Sequence, residues 1–216
     1  MPALNGLWIK WSGIKTIESI VDLQSLKYLR IGSSPSLVGL HKLAELPDLL
    51  WLELENIREM QDLGFLQGLG TLRGMALEGD TNSLKTLTVE TLGPIEHLQS
   101  LEWLALRSFQ VRDGSLRPIA KLDALNWLFL NNKFSLEQVA YVAGKMPNVS
   151  CRSFDPIFGH LKYPACKTCN GTDMVMLTGR GTRLMCANCD MHKIRQHGEQ
   201  YRRFYAAAAT SRSSSE

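Results

Sequence analysis

Cys166-Lys-Thr-Cys169 and Cys186-Ala-Asn-Cys189 set four thiols in two close pairs, sixteen residues apart. Two residues between cysteines let both thiolates of a tight turn face one ion. Two such turns complete a tetrahedron with Zn–S distances of about 2.3 Å. The spacing predicts one zinc ion on Cys166, Cys169, Cys186 and Cys189. Four thiolates leave no open coordination position, so the metal is expected to be structural. A redox role for one Cys-x-x-Cys would leave the second pair unexplained. Four of the five cysteines lie here, and their clustering points to metal in place of disulfides, hence to a reducing, cytoplasmic setting.

The segments that must hold these thiols are short. Met174–Leu177 and Arg183–Met185 flank a Gly179-Arg-Gly181 turn and read as two strands of a hairpin. With its cysteines, the stretch of about residues 163–192 resembles a zinc ribbon. From Asp190 the chain reads as helical. Arg180 and Arg183 at the hairpin tip, with Arg195, Arg202 and Arg203 on the helix, form a basic, aromatic-bearing end. Residues 160–216 carry 9 Lys/Arg against 4 Asp/Glu, whereas residues 1–159 carry 15 against 17. Basic ribbons of this kind often contact nucleic acid, which is the alternative function. Upstream, Phe154–Pro164 reads as a connector, because Pro156 and Pro164 oppose regular structure. The segment Ser211–Glu216 is expected to be disordered.

Other chemistry is sparse. No Ser/His/Asp set, phosphate loop or nucleotide fingerprint is present, and His41, His97 and His160 read as surface residues. Glu53, Glu55 and Glu78 could act as paired carboxylates. On a repeat surface they read instead as a solvated acidic patch favouring a basic partner segment. An enzyme and a small-molecule substrate are therefore not expected. No apolar run approaches the roughly 20 residues a membrane span needs. The N-terminus lacks a basic-then-apolar leader.

The first 155 residues repeat themselves. The phrase apolar-x-x-apolar-x-apolar begins at Leu4, Leu26, Leu49, Leu72, Leu101, Leu125 and, degraded, Val149, with steps of 22, 23, 23, 29, 24 and 24 residues. Apolar residues at helical spacing then lead into the next phrase, as Leu40, Leu43 and Leu46 lead into Leu49. One such unit cannot bury its own apolar stripe, so neighbours stack and share a core. Over residues 3–155 the sequence resembles leucine-rich-repeat proteins of the short bacterial, internalin-like type. The resemblance implies an α/β solenoid of about seven repeats, with a curved parallel sheet inside and short helical or 3₁₀ segments outside. The usual asparagine at position nine is replaced by Ser12, Ser34, Ile57, Asp80, Phe109 and Lys133, which predicts irregular turns. The long step holds Gly79-Asp-Thr-Asn82 and a second phrase at Leu84, so residues 79–93 read as an insertion loop with an irregular strand as the other option. The domains are then 1–160 for the repeats, 161–209 for the ribbon with its basic C-terminal helix, and 210–216 for the tail.

Positions three, five and seven of each phrase alternate to the open face. They place Trp8, Tyr28, Trp51, Trp103, Trp127 and Phe129 there, among Arg30, Arg107, Glu53, Glu55 and Glu78. Aromatic rings and arginine dominate binding hot spots. Gly74, Ala76 and Ala105 would leave a shallow gap for a partner's side chain. The reading is a non-enzymatic protein-recognition module, an adaptor or an immunity-type inhibitor, anchored by Trp51, Trp103 and Trp127.

Overall fold

Alternation in a strand sends positions one, four and six of each phrase to one side of the backbone, where stacked neighbours bury them. In the computed structural model, which describes residues 4–80, 83 and 85–211, that is what the chain does. Leu26, Leu29 and Ile31, Leu49, Leu52 and Leu54, Leu72, Met75 and Leu77, and Leu101, Leu104 and Leu106 are all 1% exposed or less. Burying one such side chain is worth about 1.5–3 kcal/mol, so each strand's triplet outweighs any surface ion pair beside it. Two compact units result, Met1–Phe129 and Leu130–Glu216. Residues 130–160, which the sequence groups with the repeats, lie in the second.

In the first unit, β1 (Gly6–Lys10), β2 (Tyr28–Gly32), β3 (Trp51–Glu55), β4 (Gly74–Glu78), β6 (Trp103–Arg107) and β8 (Trp127–Leu130) form one parallel sheet in that order. The register has no offset. Gly6, Tyr28, Trp51, Gly74 and Trp103 stand in one row, and Lys10, Gly32, Glu55, Glu78 and Arg107 in another. The return segments are α1 (Glu18–Val21) and 3₁₀ turns such as Leu40–Glu45, Gly93–His97 and Arg117–Lys121. In these coils i→i+3 bonding closes the return turn tightly. The result is a mixed α/β fold of leucine-rich-repeat architecture.

The turns are more regular than the missing asparagines suggest. Trp11, Ser33, Asn56 and Ser108, all at position eight, adopt φ of 54°, 51°, 51° and 45°. Their geometry is carried by backbone bonds that extend the ladder, such as Ser33 N–H to Glu55 C=O at 3.0 Å and Asn56 N–H to Glu78 C=O at 3.0 Å. In three coils position nine is buried, at Ser34, Ile57 and Phe109. Of the two options for residues 79–93, the structure shows the strand in place of a plain insertion loop. Leu87–Val89 (β5) pairs in parallel with Phe109–Val111 (β7) in a second, two-stranded sheet. Residues 81, 82 and 84 lie outside the described set.

In the second unit, α2 (Leu136–Lys145) is capped by Ser135, whose hydroxyl accepts from Gln138 N–H. The phrase at Val149 does not give a seventh strand; Arg152–Phe154 forms a 3₁₀ turn. Arg152 stands at position four, where Leu29, Leu52, Met75, Leu104 and Leu128 are buried in earlier units. The connector reading is corrected too: Ile157–Leu161 is a strand, β9, pairing antiparallel with β10 (Met174–Leu177), which pairs with β11 (Leu184–Cys186). Helix α3 (Met191–Thr210) lies on α2 around Ala140, Ala143 and Tyr201. Gly144 permits the approach, since a Cβ there would stand 2.5 Å from the Tyr205 carbonyl oxygen. The tail expected at 210–216 falls mostly on residues 212–216, outside the described set.

Candidate functional site

Three rows of side chains cross the open face of the six-stranded sheet, one for each outward position. In the first row Trp51 and Trp103 meet at 4.9 Å between ring centroids, and Trp103 stacks on Trp127 at 4.8 Å with planes 4° apart. Phe129 continues the run at 6.3 Å from Trp127. Arg107 lies over both Trp103 and Phe129, and Arg30 over Trp8. The strands bring every expected aromatic residue to one face.

Two expectations about this face are corrected. The gap foreseen at Gly74, Ala76 and Ala105 is filled: the Trp51 indole lies directly on Gly74, and both alanines are buried. The acidic patch is not an unpaired one. Lys10 Nζ lies 3.1 Å from Glu55 Oε2, Arg30 is 3.4 Å from Glu53, and Arg107 is 3.7 Å from Glu78. Glu53 also accepts from Trp51 Nε1 at 2.9 Å. Three cations match three carboxylates, so the face carries no net charge. Lys10, which the sequence did not single out, reaches Glu55 two strands away because Gly32 stands between them with no side chain.

Burial, more than the opposing attraction of Arg107, holds the Glu78 carboxyl above its ordinary range. Its folded pKa thus exceeds the unfolded one of about 4.3. Ionisation then costs stability, a cost absent below the unfolded value and complete above the folded one. Glu78→Gln is expected to match the parent protein's urea midpoint at pH 4 and to exceed it at pH 7. Equal midpoints at pH 7 would mean that burial is not the dominant influence on Glu78.

At the β1 end the aromatic residues stand apart. Trp8 is 68% exposed and Tyr28 54%. With Gly6, Arg30, Trp51 and Glu53 they border a groove of about 550 Å³. Trp11, outside the phrase pattern, is also exposed, with Lys10 Nζ 4.9 Å from its ring.

In the second unit the four cysteines converge, their sulfurs all within 4.8 Å of one another. Cys166 and Cys189 sulfurs are 3.9 Å apart, and Cys169 and Cys186 sulfurs 3.6 Å. Zn–S bonds of about 2.3 Å make a tetrahedron with edges of about 3.8 Å, so the donor set fits a tetrahedral ion. No disulfide joins them. Thr168 N–H points at the Cys166 sulfur and Cys189 N–H at the Cys186 sulfur. Backbone N–H groups of Cys169 and Thr168 pull the Cys166 thiol down to about 6, while hydrogen bonding to Cys169 pushes Cys189 up to about 12. Thiols this close cannot all ionise without a cation between them. Asp190 secures the second pair by accepting from Cys186 N–H at 3.1 Å. Cys151 stands apart, its thiol pushed up by burial.

Arg180, Arg183, Arg195, Arg202 and Arg203 are exposed and make no ion pair among the described residues. His41, His97 and His160 are exposed, and His160 Nδ1 lies 3.3 Å from Asp173. Among the described residues no helix is long and apolar enough to cross a membrane.

No family model matches the sequence, and no curated protein sequence matches it. Among solved structures the chain is similar to internalin C2 of Listeria monocytogenes, 23% identical over 68% of this chain and 69% of that one, with a TM-score of 0.47. A leucine-rich-repeat protein of Leptospira interrogans is 21% identical over 62% of this chain and 33% of its own, at 0.46. Listeria internalin F is 21% identical over 61% and 48%, at 0.33. The assignment of architecture rests on the register and core described above.

Proposed function

We propose that this chain is a non-enzymatic protein-recognition module of a bacterial cytoplasm, an adaptor or an immunity-type inhibitor that masks its partner's surface. The observation that carries the reading is the run of rings on one sheet face, Trp8 and Tyr28 exposed and Trp51, Trp103 and Trp127 in ring-to-ring contact, with Arg30 and Arg107 over them. Rings held in place beforehand lose little entropy on binding. The paired charges Arg30–Glu53, Lys10–Glu55 and Arg107–Glu78 set orientation and contribute little affinity. One structural zinc on Cys166, Cys169, Cys186 and Cys189 would cross-link the second unit and take no part in chemistry.

The test is capture from native lysate, with and without nuclease, beside a Trp51→Ala/Trp103→Ala variant checked for folding by its circular dichroism. A protein partner retained after nuclease and lost with the variant is the expected result. Unchanged capture by a folded double variant would refute the use of this face. The five unpaired arginines favour a second reading, nucleic-acid contact through the basic end. That reading requires binding that falls steeply with salt and disappears on charge reversal at Arg180 and Arg183.

A further inference from the structure

The two ends of the aromatic face offer a ligand different things. From Trp51 to Trp127 the rings cover one another. At β1 and β2, Trp8 and Tyr28 present bare ring surface around the groove of about 550 Å³. Its polar groups are of one kind. Glu53, its carboxylate acceptor, is occupied by Trp51 Nε1 at 2.9 Å and by Arg30 at 3.4 Å. The Trp8 indole N–H and the Tyr28 hydroxyl make no hydrogen bond among the described residues, and Arg30 has further N–H groups beyond the one facing Glu53. The groove therefore presents apolar walls and spare donors, with its formal charges cancelled.

The matching occupant is apolar, rich in carbonyl acceptors, free of formal charge and poor in N–H groups that would lose water without finding an acceptor. Proline meets all four conditions: its amide has no N–H, and its ring fixes φ near −65°. In the polyproline II helix its carbonyls stay outward and solvated, and docking the preformed helix on aromatic rings loses little entropy. We propose that the groove between Trp8 and Tyr28 docks an uncharged, proline-rich segment of the partner protein. The inference rests on the aromatic face being a protein-binding surface, and it names the chemistry recognised at one end.

The probe is acetylated, amidated decaproline, titrated into the full zinc-loaded chain with its tryptophan indoles ¹⁵N-labelled. The Trp8 indole signal, identified by its loss in Trp8→Phe, is expected to move saturably while that of Trp127 stays in place. Trp8→Ala should weaken binding at least tenfold, and Tyr28→Phe, which removes only the hydroxyl, several-fold. Both side chains are mostly exposed, so these variants should keep the parent's melting temperature. A glycine–serine decapeptide, which carries N–H groups and no rings, should not compete. A static Trp8 signal at millimolar decaproline, equal binding of the two peptides, or binding indifferent to Trp8→Ala would each overturn the proposal. Failure with decaproline alongside partner capture that depends on Trp51 and Trp103 would remove the proline inference and leave the face reading standing. Capture indifferent to those two tryptophans would remove the face reading itself.

Discussion

Treatment with a zinc chelator is expected to unfold the cysteine module while the six-stranded sheet of the first unit keeps its amide protection. The module cannot stand on packing alone. Its own core is Cys166, Met174 and Cys186 with Leu184 against them, and two of those side chains are the thiols themselves. A segment of this size needs a metal or disulfides to fold, and structural zinc supplies an apparent 10–16 kcal/mol, roughly, in small zinc modules. That is comparable to the whole stability of a typical domain. The sheet of the first unit has its own leucine core and should not respond. Native-state hydrogen exchange before and after chelation, with released zinc counted colorimetrically, tests both halves. One zinc per chain should appear, and the amides of Cys166, Cys186 and Asp190, all hydrogen-bonded in the fold, should lose protection. Cys169→Ser should reproduce the loss without chelator. Full protection of those amides in metal-free, reduced protein would refute the zinc assignment.

The sheet was readable in the sequence because it depends on a period of two. Leucines at positions one, four and six fix which side faces the core, and the outward residues follow without knowledge of any contact. The cysteine cluster was readable for a similar reason, since its spacing alone brings four sulfurs together. What escaped depends on contacts between coils. The strand option at Leu87–Val89 was visible in the phrase at Leu84, but its pairing with Phe109–Val111 one coil later was not. Ile157–Leu161 was hidden by Pro156 and Pro164, which bound the strand without interrupting it. The pairing of Lys10 with Glu55 needed a glycine at residue 32 of the intervening strand, a relation across three coils. Side-chain size at Gly74, Ala76 and Ala105 suggested a gap, yet it says nothing of where a neighbouring indole lies.

That last point leads to a sharp expectation at Gly74. This glycine adopts ordinary strand geometry in β4, so its backbone does not require it; the ring of Trp51 does. A methyl group at residue 74 would fall inside the Trp51 indole. Gly74→Ala must therefore push that ring off the sheet and break its contact with Trp103. Overpacking of this kind costs about 1–3 kcal/mol, and a lost aromatic pair about 0.5–1.5 kcal/mol more. A lowered urea midpoint is expected, with weaker partner binding, although no residue of the proposed anchor set has been removed. Ordinary strand propensity predicts the reverse, since alanine replaces glycine in a strand interior. The cause is separable by a double-mutant cycle. If the indole is what the methyl group meets, Trp51→Ala removes the clash, and Gly74→Ala should then cost nothing further or even stabilise. A cost that persists undiminished in the Trp51→Ala background would place the strain in the backbone of β4. The packing of Trp51 on Gly74 would then not explain why this strand carries a glycine.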